Sequence, residues 1–423
     1  MTRVKAMSSR TFRSLAIRNY RLFFYGQLVS LIGTWMQAVA QAWLVLRLTD
    51  SGAAVGMVTG LQFVPMLVAG AWGGVVADRV DKRKALVVVQ SAMGAVALAL
   101  AVVTGLDVVE LWMVYLAAFL LGCAGVIETP TRQAFVTEMV GADSVPNAIG
   151  LNSALFNGSR IVGPAVAGFL IVGVGLWMCF LVNALSFLGV IAALVAMRPE
   201  ELHPAARAGR EPGQVRAGLR YVWSSPERRW TLLLVAAVGT FAFNFNVVLP
   251  LMARFTFEVD AGGFGLLTSS IGVGALAGAL LSAARARPSA TLLVRACGAT
   301  AALMAAAAVA PTMAAEMAVL VLLGAAVITF MTTANAMLQL GSDPAMRGRV
   351  MALYALVFLG STPIGGPIVG TIAEQFGPRA GLGVGAVAAM VATAAGAVAF
   401  RRAAVRGGNA EVPAHLPAEP AAA

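Results

Sequence analysis

The chain has 423 residues, of which 59% are hydrophobic and only 12% charged, and its mean hydropathy is +0.84. A soluble domain is nearer half apolar and a quarter charged, so a water-soluble globular fold is excluded. The net charge of +11 would suggest nucleic acid in a soluble protein, but the placement of the basic residues assigns it to membrane topology, and no nucleic-acid partner is expected.

A bilayer-crossing helix needs about 20 apolar residues. Twelve such spans are predicted, at 22–47, 53–77, 85–105, 108–128, 147–172, 176–197, 230–252, 262–284, 290–310, 315–339, 350–374 and 380–400. Residues 1–21 precede them as a basic segment. The first span is too long and too polar for a signal peptide and is expected to be retained. Within it Gln27, Ser30, Thr34, Gln37 and Gln41 are spaced 3, 4, 3, 4 and so share one helical face. Polar groups facing lipid are expensive, so this stripe is expected to face a water-filled cavity or to bond a neighbouring helix.

After the second span the sequence GGVVADRVDKRK (73–84) gathers six charges in seven residues, Asp78 to Lys84. Glu128 closes the fourth span, with Arg132 one turn on. The fifth carries Arg160, 13 residues past Asn147 or about 20 Å along a helix, followed by Gly163-Pro164. An arginine at that depth is a functional hypothesis by default. It attracts an anionic solute or tunes an acid; alternatively it braces the kink-prone Gly-Pro. Residues 198–229 form the only long polar insertion. The seventh span offers Asn244 and Asn246, and the tenth Thr332 and Asn335. Residues 403–423, rich in Ala and Pro, are expected to be disordered.

Of the 30 basic residues, 25 lie at the termini or in the loops on one side of the membrane, and only Arg47, Arg254 and Arg379 lie in loops on the other. Positive residues stay cytoplasmic, which places both termini and the 73–84 loop inside. Gly163-Pro164 recurs as Gly366-Pro367, an offset of 203, and Gly74 recurs as Gly278, an offset of 204. These landmarks imply a duplicated six-helix bundle, 22–197 and 230–402. Parallel six-span repeats are a transporter architecture with the substrate site between the halves.

The run Gly74, Asp78, Arg79, Asp81, Lys82, Arg83, Lys84 resembles the loop signature of the major facilitator superfamily, with Asp81 where that family usually has glycine. GSRIVGPAVAG (158–168) resembles its exporters' helix-five signature. GQLVSLIGTWMQ (26–37), TPTRQAFV (129–136) and RGRVMALYALVFLG (347–360) are similar to the enterobactin-exporter-like, transmembrane secretion effector branch. The resemblance implies an all-α, twelve-helix fold whose cavity is lined by helices one, four, seven and ten. It also implies a latch in the outward-open state, in which Asp78 caps the start of helix eleven near Val350. Basic loop residues then hold Glu128, with Arg132 as another possible partner.

Cys123, Cys179 and Cys297 lie in apolar runs without metal-ligand spacing, and no metal, cofactor or disulfide is expected. No GxxxxGK[ST] loop is present, which argues against ATP-driven transport by this chain alone. The expected function is a non-enzymatic, monomeric secondary transporter in the bacterial inner membrane. It exports a small organic molecule such as a drug, antibiotic or siderophore-like metabolite. Protons are the coupling ion by resemblance, with Glu128 as carrier. A uniporter or importer, or a non-transporting sensor, is the alternative.

Overall fold

The computed structural model describes residues 12–203, 214–283 and 288–408. Twelve helices long and apolar enough to cross a membrane run antiparallel in sequence: α1 (Arg18–Thr49), α2 (Gly52–Arg79), α3 (Lys82–Gly105), α4 (Leu111–Val140), α5 (Val145–Gly173), α6 (Leu176–Val195), α7 (Pro226–Thr256), α8 (Ala261–Ala283), α9 (Ala290–Ala308), α10 (Met313–Leu340), α11 (Pro344–Phe376) and α12 (Pro378–Gly408). They form two six-helix bundles. The end that carries most of the basic residues is called the basic end below, and the other the far end.

Short polar residues start these helices. Ser51, Asp81, Ser289 and Thr312 each accept a backbone N–H three residues on, opening α2, α3, α9 and α10. Asp81 sits at φ −63°, so the position needs no glycine, and its carboxylate caps α3 through the Lys84 N–H at 3.1 Å. Gly175 and Gly377, at φ +118° and +90°, make the matching far-end turns of the two halves.

Two boundaries differ from the sequence reading. α4 does not stop at Glu128 but continues to Val140, because Pro130 removes only one helical N–H and the Glu128–Arg132 pair lies along the helix. α11 begins at Pro344 behind Asp343, not near Val350; a proline in the first turn suits a helix start. Gln214–Trp223 forms a separate helix inside the 198–229 insertion, and the start of that insertion is tied to α1 by a two-way bond between the Asn19 amide and the Arg198 backbone.

Glycine sets several of the closest helix approaches. Within the first bundle, a Cβ at Gly73 would collide with the Val126 carbonyl of α4, and one at Gly122 with the Gln62 carbonyl of α2. The second bundle repeats this with Gly274 against Val321 and Gly324 against Ile271, joining α8 to α10. The bundles meet along two related seams. In one, α5 brings Arg160, Pro164 and Gly168 against Gly272, Gly265 and Gly262 of α8, while Gly163 packs against Ile32 and Trp35 of α1. In the other, α11 brings Gly366, Pro367 and Gly370 against Gly52, Gly56 and Gly60 of α2. Both seams run through the far half of the helices. Such small-residue contacts let backbones touch and are the usual basis of helix packing in lipid.

The two kinds of glycine make different predictions. Gly324→Ala overpacks a permanent contact, and should destabilise the protein by about 1–3 kcal/mol, read as a lower thermal midpoint in detergent. Gly56→Ala meets the Gly366 carbonyl across the seam, where the halves can move apart. It should leave the midpoint nearly unchanged and speed far-side labelling of a cysteine placed at Thr59, on a background lacking the three native cysteines.

Candidate functional site

Four described polar contacts join the two halves, three at the far end and one nearer mid-helix. The Glu374 carboxylate near the end of α11 accepts from the Ser51 hydroxyl at 2.6 Å and the Ala53 N–H at 2.9 Å. It therefore caps the start of α2 from the opposite bundle. Arg254 at the end of α7 pairs with Asp50 after α1 at 2.6 Å, and the Ser269 hydroxyl donates to the Ile161 carbonyl at 2.8 Å. Trp43 and Phe264 stack across the same interface with centroids 6.0 Å apart. The far end is closed.

Below the closure lies a small cavity of about 60 Å³ walled by both halves. Thr59 and Phe63 come from α2, Phe243, Asn244 and Asn246 from α7, and Phe358, Leu359 and Thr362 from α11. The wall is irregular because α7 is broken there. Residues 238–242 form π-helical turns, Phe243 and Asn244 leave the helix, and Pro250 has no N–H for the Asn246 carbonyl. The Asn244 amide donates to the Thr240 carbonyl at 2.6 Å in place of the lost backbone bond, which leaves its Oδ1 buried without a donor. Thr332 and Asn335 of α10 are partly buried; Thr332 bonds the Ile328 carbonyl and Asn335 accepts from Gln339.

Arg160 lies on α5 beside this cavity. Its guanidinium is 5.5 Å from the Trp35 ring centroid and 5.8 Å from that of Phe243, a ring that also walls the cavity. Among the described residues it makes neither an ion pair nor a hydrogen bond. The bracing of the Gly-Pro kink by side-chain bonds is therefore absent. Cation–π contacts contribute about 0.5–2 kcal/mol each against about 2.5–3.5 kcal/mol for an arginine at mid-membrane depth, so the rings offset a good part of the charge's burial.

The helix-one stripe does not line the cavity. Gln27, Ser30, Gln37 and Gln41 are all buried within the first bundle. The Asn183 amide of α6 donates to Gln37 at 2.6 Å, Gln41 reaches the Val114 carbonyl of α4 at 3.5 Å, and Thr34 bonds the Ser30 carbonyl of its own helix. Gly33 sits against Asn183 and Ser186. In an apolar interior Gln37 and Gln41 find partners on the adjoining helices, while the Gln27 Nε2 is buried without one. Trp35, on another face of α1, is the residue that meets α5.

The 73–84 loop also works within its own bundle. Lys82 pairs with Glu138 at 2.7 Å, near the true end of α4, and Arg83 caps α6 through the Leu194 and Val195 carbonyls at 2.6 and 2.9 Å. Glu128 is held at 2.7 Å by Arg132, the other partner the sequence offered, and not by a loop base in this conformation. Arg79 is exposed. Gly74 lies in α2, and its neighbour Gly73 touches α4 at Val126. Asp78 lies in α2 one residue before its last, and its side chain falls outside the described residues. Val350, expected to meet it, is buried within the second half against Val222 of the linker helix and Leu338.

Two residues escaped the sequence reading. Glu374 was visible only as an acid near the far face, since its partner is 323 residues away. Glu316, in the first turn of α10, is fully buried with neither carboxylate oxygen bonded, while nearby Arg379 donates to the Ala310 carbonyl.

Residues 9–422 match the transmembrane secretion effector family. The chain belongs to that family, a branch of the major facilitator superfamily. It is 25% identical to the staphyloferrin A transporter of Staphylococcus aureus, over 62% of this chain and 66% of the relative. It is 26% identical to the macrolide efflux protein A of Streptococcus pyogenes, over the same shares. Each alignment thus spans just under two thirds of the relative's own length. The nucleoside transporter NupG superposes with a TM-score of 0.71 at 14% identity, covering 91% of this chain and all of that one. A bacterial homologue of the lysosomal transporter Spinster, in an inward-facing and unoccupied conformation, superposes with a TM-score of 0.72 at 15% identity, covering 94% and 98%. The fold is that of the major facilitator transporters, and the chain is a multi-pass membrane protein of a transporter family, not an enzyme.

The Glu374 cap gives the second prediction. Glu374 is exposed and Ser51 half-buried, so the contact is placed at the lower end for an N-cap, about 0.5–1 kcal/mol. Glu374→Ala should shift the two-state balance about two- to fivefold away from far-end closure, measured as faster external labelling of the Thr59→Cys reporter at unchanged expression.

Proposed function

We propose that this protein is a secondary active exporter of a small organic solute, working by alternating access with its basic end in the cytoplasm. The observation that carries the reading is a cavity walled by both halves beneath a far-end closure made by the Glu374 cap and the Arg254–Asp50 pair. With the basic end inside, the far-end closure corresponds on this reading to the inward-facing state, which loads from the cytoplasm. The Spinster homologue's inward-facing form and the efflux function named for one relative support this direction. Opening the far seams while closing the basic ends of α2 and α11 would turn the same cavity outward. The inner bacterial membrane, a single-chain transporter and a proton gradient as energy source belong to the same reading.

Proton coupling is assigned to Glu128. In this conformation Arg132 holds its carboxylate; separation of the pair in the other conformation would free it to take a proton, giving the exchange an antiporter needs. In everted vesicles, uptake from a panel of drugs, antibiotics and siderophore-like compounds should collapse on adding an uncoupler. Glu128→Gln should abolish the uncoupler-sensitive part alone. Uptake that ignores the uncoupler would favour a uniporter.

The latch expected of Asp78 is the counterpart, at the basic end of α2, of the Glu374 cap at its far end. Asp78→Ala should shift labelling toward the inward-open state, Glu374→Ala away from it, and the double variant should return near the wild-type balance. Two shifts in the same direction would overturn the paired-latch reading.

A further inference from the structure

Arg160 is a charge with no counter-charge. The helices it touches supply none: α1, α5 and α8 contain no Asp or Glu, and α7 only Glu227 in its first turn, while Glu128 of α4, which also packs on α5, is held by Arg132. The side chain bridges the halves, since Trp35 belongs to the first and Phe243 to the second. Its backbone carbonyl lies beside Gly272 of α8, so the arginine sits on the seam itself. Neither ring can accept the guanidinium's in-plane hydrogen bonds, and its N–H fork is matched to a planar, two-oxygen anion. Phe243 also walls the cavity, whose lining includes the exposed Asn246 and Asn244 with its unbonded Oδ1, at a break in the helix where the backbone is irregular. An unpaired guanidinium between two rings, one of which also walls a cavity with two amides, fits an amphipathic organic anion. It disfavours a cation by simple repulsion, and an inorganic anion because the rings would go uncovered.

We propose that the transported solute is an organic anion whose carboxylate, or an equally planar anionic group, pairs with Arg160 while its apolar body lies against Trp35 and Phe243. The inference rests on the transport reading above, but can be tested apart from it. Calorimetric titration of the purified full-length protein in detergent would compare 1-naphthoate, its neutral isostere 1-naphthamide and the cation 1-naphthylmethylammonium. Naphthoate should bind about tenfold more tightly than the amide, reflecting one charge-assisted, two-pronged contact, and the cation weakest. In Arg160→Gln the preference for the anion should vanish. In Arg160→Lys it should shrink but persist, because lysine keeps the charge and loses the fork. Equal binding of naphthoate and naphthamide by the wild type, no naphthoate binding at millimolar concentration, or an undiminished preference in Arg160→Gln would overturn the proposal. If Arg160→Gln does not fold, the wild-type ratio and Arg160→Lys decide. Everted-vesicle uptake separates the two readings. Accumulation of cations unaffected by Arg160→Gln leaves the exporter and removes the anion; selective anion binding without transport of any compound does the reverse.

Discussion

The structure depends on backbone touching backbone across the two seams. A leucine-lined interface between halves would have no advantage in lipid, whose tails are as apolar as the side chains. Gly56 against Gly366 and Gly168 against Gly262 instead bring main chains into direct contact, gaining dispersion over a long line with no side chain to reorder. Such a contact is strong enough to define a state and has little interlocking to undo. The polar contacts added to it at the far end, the Glu374 cap and the Arg254–Asp50 pair, are exposed and individually weak. Closure is therefore a shallow preference, as a cycling transporter requires.

The contacts inside each bundle have a different character. The Gln37–Asn183 amide bond, the Arg83 cap on α6 and the Lys82–Glu138 pair are buried or partly buried and connect helices that must not separate. Their loss would leave polar groups unmatched in a dry interior. The polarity of this protein is thus divided by task. Buried hydrogen bonds hold the bundles rigid, while exposed caps and glycine seams let them move as bodies.

Much of this was legible in the sequence because the signals are one-dimensional. Twelve apolar runs, the one-sided arginines and the Gly-Pro repeat can be counted without knowing what touches what. The misreadings arose where a pattern defines a face but not its partner. The 3–4 spacing of Gln27 to Gln41 correctly places them on one side of α1, yet nothing in it distinguishes a cavity from α6. Glu128-Thr-Pro-Thr-Arg reads as a helix end by composition, whereas the helix absorbs Pro130 and runs on to place Glu138 beside Lys82. The Glu374 cap joins residues in different halves, and pairings of that kind leave no trace in spacing.

Arg160 brings the two themes together. It belongs to the first half, sits beside a seam glycine of the second and shares Phe243 with the cavity wall. Any ligand pairing with it while touching Phe243 makes contacts to both halves at once. When the halves rotate, those contacts cannot all be kept, so the ligand's affinity must differ between the two conformations. A ligand shifts a conformational equilibrium only by that difference. With the far-end latch contributing little beyond thermal energy, even a modest difference at Arg160 is enough to decide which end opens. Placing a single uncompensated charge where the halves meet therefore couples loading of the site to movement of the bundles, without a dedicated relay between them.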